Sequence, residues 1–328
     1  MSKVQAIVRA PRTVRLWRAA RVVALAALAA LLVTLWVAPG AGLAVVWGAA
    51  IPFVATSLFV TPVLWRGVCP LATLNEVGNR FGRPTYPGSS VQWALGVTGL
   101  VLFHLLVPGR LALFNHSGTS VAGAALAIGV LALLLGARFS VRSAFCNALC
   151  PILPIERLYG QAPLLDLERG RCGACTVCTP RGCLDLAGTK NVAQLMGPGR
   201  RTDAWLLTPF GLFAAALPGF IVGYFLSPNE PGVGLTPWAW TGAGSAASAV
   251  VVGSAVRLTR ASAARALPIL AWASGSAYFA FTGPAIGRLW GWPPGVGVGI
   301  AVVGVLFVAL WALRAIRRAP AGTFLPDR

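Results

Sequence analysis

Acidic side chains are the scarcest feature of this chain: Asp and Glu together number 8 in 328 residues, against 27 Lys and Arg. Charged residues make up 11% of the sequence, less than half of the roughly 25% usual for soluble globular proteins. Histidine occurs twice, as His104 and His116, and no C-x2-C-H is present, which excludes a c-type haem. No nucleophile, acid–base pair or nucleotide-binding loop stands out, so a stand-alone hydrolase or kinase is not indicated. No A-x-A cleavage site precedes polar sequence after the first apolar run, so that run reads as a retained helix rather than a signal peptide. The seven cysteines are odd in number and clustered, which argues against a secreted disulfide framework.

What remains is apolar: 57% of the residues are hydrophobic, and uncharged runs of about 20 residues, long enough to cross a bilayer, recur along the chain. The pattern predicts an all-α polytopic membrane protein of about eight transmembrane helices, near 22–38, 41–65, 91–107, 119–137, 204–226, 235–256, 266–286 and 295–313. The expected organisation is a basic N-terminal segment (1–21), four helices with a Cys-Pro cytoplasmic loop (22–137), a cytoplasmic iron–sulfur segment (138–203), four further helices (204–313) and a tail (314–328). An even helix number puts both termini on one side. Of the 27 basic residues, only Arg110 and Arg288 then fall on the other side. The positive-inside rule therefore predicts a multi-pass inner-membrane protein with both termini and every cysteine in the cytoplasm. The net charge of +19 is spread between hydrophobic runs, not gathered on a stripe, and no nucleic-acid motif is visible; it reads as attraction to anionic membrane lipid. Trp238, Trp240, Trp290 and Trp292 suit an interfacial aromatic belt.

Four cysteines stand in the run RCGACTVCTPRGCLDL: Cys172, Cys175, Cys178 and Cys183. Three thiols at intervals of three are the spacing by which bacterial ferredoxins wrap an iron–sulfur cubane. Zinc is the rival, but its sites usually pair two separated knuckles. The segment 138–203 is too short to bury much core, and a small ferredoxin-like insert there would depend on a metal centre for stability.

Two further stretches echo each other. WRGVCPLATLNEVGNRFG at 65–82 and FCNALCPILPIERLYG at 145–160 each carry a Cys-Pro (Cys69-Pro70, Cys150-Pro151), then apolar residues, a glutamate (Glu76, Glu156), a basic residue and a glycine. Each follows a two-helix hairpin, so the first four helices read as two copies of one unit. Proline after a ligand cysteine fixes φ and turns the chain away. With its C-x3-C-P at Cys146–Cys150 followed by a ferredoxin-type run, residues 40–190 resemble the membrane-bound polyferredoxins of the NapH and NosR type. The resemblance implies [4Fe–4S] clusters and electron transfer between the quinone pool and a redox partner protein. The chain departs from that pattern in three places: Trp65 stands where the first loop would carry its own first cysteine, a single ferredoxin run is present, and Leu184 follows Cys183 in place of proline.

Two all-cysteine cubanes take four thiolates each, and the chain offers seven. Cys172, Cys175, Cys178 and Cys183 can close one cluster and leave Cys69, Cys146 and Cys150 for a second, incomplete one. Alternatively, Cys183 crosses to the second site and a Cys-Pro thiol completes the first. Arg171, Arg181, Arg142 and Arg157 lie near these cysteines in sequence, and cationic neighbours raise a cluster's reduction potential. The expectation is a membrane-bound iron–sulfur electron-transfer protein with one [4Fe–4S] cluster and room for a second. The alternatives are a cluster-based redox sensor or assembly factor, and a transporter with a structural metal site. A b-haem between His104 and His116 would need the intervening loop to fold back; His104 reads more simply as a helix-packing residue.

Overall fold

The computed structural model describes residues 11–83, 85–140, 142–165 and 204–318, and over these it is all-helical, with one isolated bridge between Thr85 and Phe139. In chain order the helices are α1 (Pro11–Val37), α2 (Pro39–Val60), α3 (Pro62–Val68), α4 (Pro70–Phe81), α5 (Ser89–Phe114), α6 (Gly118–Arg138), α7 (Leu153–Tyr159), α8 (Pro209–Leu226), α9 (Thr236–Thr259), α10 (Ala263–Leu289) and α11 (Pro294–Arg318). Proline opens many of them, at Pro39, Pro62, Pro70, Pro209 and Pro237 among others, where its missing N–H has no helical partner to lose.

Seven helices are long and apolar enough to cross a membrane: α1, α2, α5, α6, α8, α9 and α11. The eighth expected span, near 266–286, is also helical, as α10, but it is not among the seven. Its sequence carries Ser274 and Thr282, and its buried face is wide, running from Ala263 to Gly287. A helix shielded by its neighbours need not be apolar all round, and Ser274 satisfies itself by donating to the Leu270 carbonyl at 2.7 Å.

The second expected span is not one helix. It stops at Val60, and Thr61 is extended (φ −167°, ψ 113°) because Pro62 disfavours a helical residue before it. The carbonyls that Pro62 and the break leave unpaired are taken up from elsewhere. Leu164 N–H donates to Phe59 O at 3.3 Å and Leu165 N–H to Val60 O at 2.9 Å. Irregular backbone among apolar helices persists only where protein satisfies it.

The donors belong to a segment that was expected on the cytoplasmic surface. Residues 142–165 instead run into the helix bundle. The Leu149 carbonyl lies against Gly99, where an added Cβ would sit 2.7 Å away. Gly99 is roughly ten residues, or about 15 Å, along α5 from Ser89. Farther in, Tyr159 stacks on Phe59 with ring centroids 4.2 Å apart, and its hydroxyl donates to Ser274 Oγ at 3.2 Å.

The first Cys-Pro turn is equally deep. From Pro70, α4 runs back outward along α6: Asn75 Nδ2 donates to Ala132 O and Asn79 Nδ2 to Gly136 O, at 2.8 and 2.7 Å. Glycines make this approach close enough. A Cβ on Gly78 would stand 2.1 Å from Leu133 O, and one on Gly136 would stand 2.1 Å from Asn75 O. The obstacle in each case is backbone, which cannot swing away. Gly78→Val therefore separates α4 from α6. It is expected to destabilise the purified protein by at least about 1–3 kcal/mol, the usual range for overpacking, read as a lower thermal unfolding midpoint in detergent.

Candidate functional site

The two Cys-Pro turns are built alike. Cys69 has φ −52° and ψ 122°, and Cys150 has φ −54° and ψ 120°. In each, a short helical turn ends at the cysteine, proline turns the chain, and a new helix starts within three residues. Both turns converge on one apolar cluster, in which Cys146 and Phe145 are buried with Ala72, Ala132 and Leu149, and Cys69 packs against them. Cys150 adjoins Cys146 and Cys69 closely enough for each to disfavour its ionisation.

The copies differ at the residue four before the Cys-Pro cysteine. The turn before Cys69 is α-helical, with Cys69 N–H donating to Trp65 O, four residues back. The turn before Cys150 is a π-turn (Phe145–Leu149), with Cys150 N–H donating to Phe145 O, five residues back. The change of pitch points the two −4 positions differently. Cys146 enters the thiol cluster, whereas Trp65 packs against the main core of the bundle.

Charged groups lock the copies together. Arg66 of the first copy pairs with Glu156 of the second, Nη1 to Oε2 at 2.9 Å, with both side chains about 5% exposed or less. Arg142, preceding the second copy, pairs with Glu76 of the first, Nε to Oε1 at 2.9 Å, and its Nη1 donates to Arg66 O at 2.8 Å. Arg66 also donates to Asn147 Oδ1, and Arg157 to Asn147 O at 3.2 Å. Arg21 of α1 closes the set through Glu76 Oε2 at 2.6 Å and Gly67 O at 3.0 Å. The second copy's Glu156 neutralises Arg66 of the first, and the first copy's Glu76 neutralises Arg142, just before the second copy, and Arg21 of α1.

Burial pushes all three thiols up, Cys146 to about 12 from its ordinary 9.0. The Arg142 guanidinium pulls Cys146 and Cys69 the other way, as Arg66 does for Cys146. Alone, these thiols do not make a metal centre: among the described residues, no group of three Cys, His, Asp or Glu side chains is arranged to hold a metal ion. Cys172, Cys175, Cys178 and Cys183, with Arg171 and Arg181, lie outside the described residues. Arg142 and Arg157 are tied into the network above. His104 Nδ1 bonds Leu100 O at 2.9 Å and His116 Nε2 bonds Leu111 O at 3.1 Å, each to its own stretch of chain.

Beyond Pro151 the turn opens onto an apolar chamber of 390 Å³, walled by α2, α5, α6, α8 and the Pro151–Tyr159 segment. Pro151, Ile152 and Ile155 form one side of it, and Trp47 and Arg110 stand in its lining with Tyr224 and Tyr278. The π-turns at Val46–Ala50 and Arg110–Phe114 supply Trp47, Arg110 and Phe114 to this wall. The Arg–Glu exchange and the chamber were not anticipated from sequence. In a chain with 8 acidic residues, two glutamates at matching places in an echoed motif were the signal for the exchange. No signal in the sequence marks the chamber.

No family model, no curated protein and no solved structure matches the chain.

Removing one member of a buried pair strands the other charge, at a cost of about 3–5 kcal/mol, whereas replacing both by apolar groups costs less. Glu156→Leu is expected to lower unfolding stability by that amount, and Arg66→Leu with Glu156→Leu by clearly less, measured by denaturant titration in detergent. The thiols give a pH dependence with a definite sign. With folded pKa values above 9.0, the folded thiol form holds protons that the unfolded chain releases. Its stability is therefore full below pH 9 and falls as pH rises toward 12. Thermal midpoints of metal-free protein are expected to drop above pH 9, and to drop less in Cys146→Ala.

Proposed function

We propose that this protein is a multi-pass inner-membrane iron–sulfur protein that relays electrons between a redox partner protein and the quinone pool, with its clusters and both termini on the cytoplasmic side. The observation that carries the reading is the thiol content of one chain: a ferredoxin-type run at Cys172–Cys183, together with two matched Cys-Pro turns that bring the buried Cys146 and the half-buried Cys69 and Cys150 near one another. The resemblance to NapH- and NosR-type polyferredoxins points the same way. Cys172, Cys175 and Cys178 would hold a [4Fe–4S] cluster with either Cys183 or a Cys-Pro thiol as fourth ligand; in the latter case Cys183 would join the remaining thiols at a second site. Such a cluster supplies one-electron transfer.

The chain's own residues prepare the surroundings. Arg66 and Arg142 offset part of the burial that keeps Cys146 protonated, and a cationic setting raises the potential of a thiolate-held centre. The apolar cluster around Cys146 keeps water from the sulfurs. Pro151 and Ile152, next in sequence to Cys150, face a chamber roomy enough for a membrane-soluble molecule. A transporter with a structural metal site is the second reading, favoured by the break at Thr61 and the charges buried among helices, both features of substrate pathways.

Anaerobic purification with iron and sulfide analysis and low-temperature EPR tests the proposal. Expected are stoichiometric iron and sulfide, a reduced-cluster signal lost in Cys175→Ser, and reoxidation of that signal by a soluble quinone analogue. Zinc in place of iron sinks the cluster. A cluster inert to quinone leaves the sensor or assembly reading in its place.

A further inference from the structure

Two basic residues depart from the charge pattern of the sequence, Arg110 and Arg288, and the structure brings both into the lining of one cavity. This vestibule, 510 Å³ in volume, opens at the end of the bundle away from the thiols, between α2, the end of α5 and the end of α10. No Asp or Glu lines it. Arg288 is exposed at the rim, and neither arginine forms an ion pair with a carboxylate among the described residues. Arg110 is held over the Trp47 ring at 4.2 Å, with its Nε donating to Asn115 Oδ1 at 2.8 Å. The same guanidinium makes a side-chain hydrogen bond with Tyr224, whose ring centroid lies 5.9 Å away.

The vestibule adjoins the apolar chamber. Trp47, Arg110, Phe225 and Tyr278 line both it and the apolar chamber, so the two spaces share a wall with Arg110 at the junction. Along α5 the chamber runs from Phe103 to Phe114, about 16 Å at 1.5 Å per residue. A cationic vestibule adjoining an apolar chamber, with Arg110 in the lining of both, matches the two ends of one kind of molecule.

We propose that vestibule and chamber together bind a single anionic amphipath of the bilayer, with its oxyanion head on Arg110 and Arg288 and its hydrocarbon chain in the chamber. The carboxylate of a fatty acid and the phosphate of an anionic phospholipid share this chemistry. The guanidinium fork suits either head, and burying the chain in the chamber removes it from lipid without loss of apolar contact. The proposal does not rest on the electron-relay reading, because neither arginine nor the chamber lining includes a cysteine.

The full chain in phosphatidylcholine nanodiscs, titrated with a dibrominated fatty acid or dibrominated phosphatidic acid, tests it through quenching of tryptophan fluorescence. Saturable quenching is expected with one or both anions, and whichever head binds more tightly identifies the source. Trp47→Phe should remove most of the quenched component. Arg110→Gln and Arg288→Gln should each weaken binding by about tenfold, as loss of a charge-assisted hydrogen bond does. Ala125→Phe, which fills the chamber, should abolish saturation, while Leu126→Phe on the exposed face of α6 should change nothing. Should Arg110→Gln fail to fold, Arg288→Gln at the rim and Ala125→Phe carry the comparison. Quenching equal to that by brominated phosphatidylcholine, or unaltered by all three variants, overturns the proposal. So does a neutral quinone analogue that occupies the chamber while neither anion binds.

Discussion

Polar groups placed among apolar helices must find partners in the protein, since lipid offers none, and that constraint shapes the interior of this bundle. It is met by ion pairs. Glu156 of the second Cys-Pro unit neutralises Arg66 of the first, Glu76 of the first neutralises Arg142 just before the second, and Arg142 reaches the Arg66 carbonyl as well. Burying Arg66 without Glu156, or Glu156 without Arg66, would strand a charge. The two units therefore enter the bundle as a pair, and the thiols they carry meet because the ion pairs fix their register. Backbone obeys the same demand at Thr61, where a proline break frees two carbonyls and the end of the second unit supplies the missing donors.

The duplicated units are alike where proline dictates geometry and unlike where helix pitch does. Near-identical φ and ψ at Cys69 and Cys150 follow from the proline after each. One turn is α and the other π, and that single difference sends Cys146 into the thiol cluster and Trp65 out of it. The seven-thiol count thus has a structural side. The absent cysteine of the first unit falls at a position that does not face the pocket, so a cysteine in place of Trp65 would not simply complete a fourth ligand there.

Cys69 and Cys150 lie among helices, beside a chamber that runs on to Arg110. Three π-turns supply residues to the thiol cluster or the chamber wall, a concentration of π geometry of the kind that accompanies functional sites. A cation stacked on Trp47 at one end and buried thiols at the other give the interior a polarity along the bundle that no single helix possesses.

Much of this was legible in the chain. Apolar runs without charge determined where the helices fall, because a segment in lipid must satisfy its own backbone, although α1 starts at Pro11 and not near 22 and α5 runs on to Phe114, past the expected end at 107. Proline positions determined where helices begin and where the second span breaks, although the break was hidden inside an unbroken run of hydropathy. The matched Cys-Pro motifs determined that two units exist. Tertiary structure alone decided that residues 142–165 enter the bundle: the segment carries Arg142 and Glu156, which in isolation belong at a surface and become tolerable inside only against Glu76 and Arg66. It alone decided that α10, with its serines and threonine, is shielded by its neighbours and need not be apolar all round. It also gathered Arg110 and Arg288, 178 positions apart in the chain, at one cavity. Periodicity and composition report what a residue prefers to touch, and long-range pairing decides which partner is there.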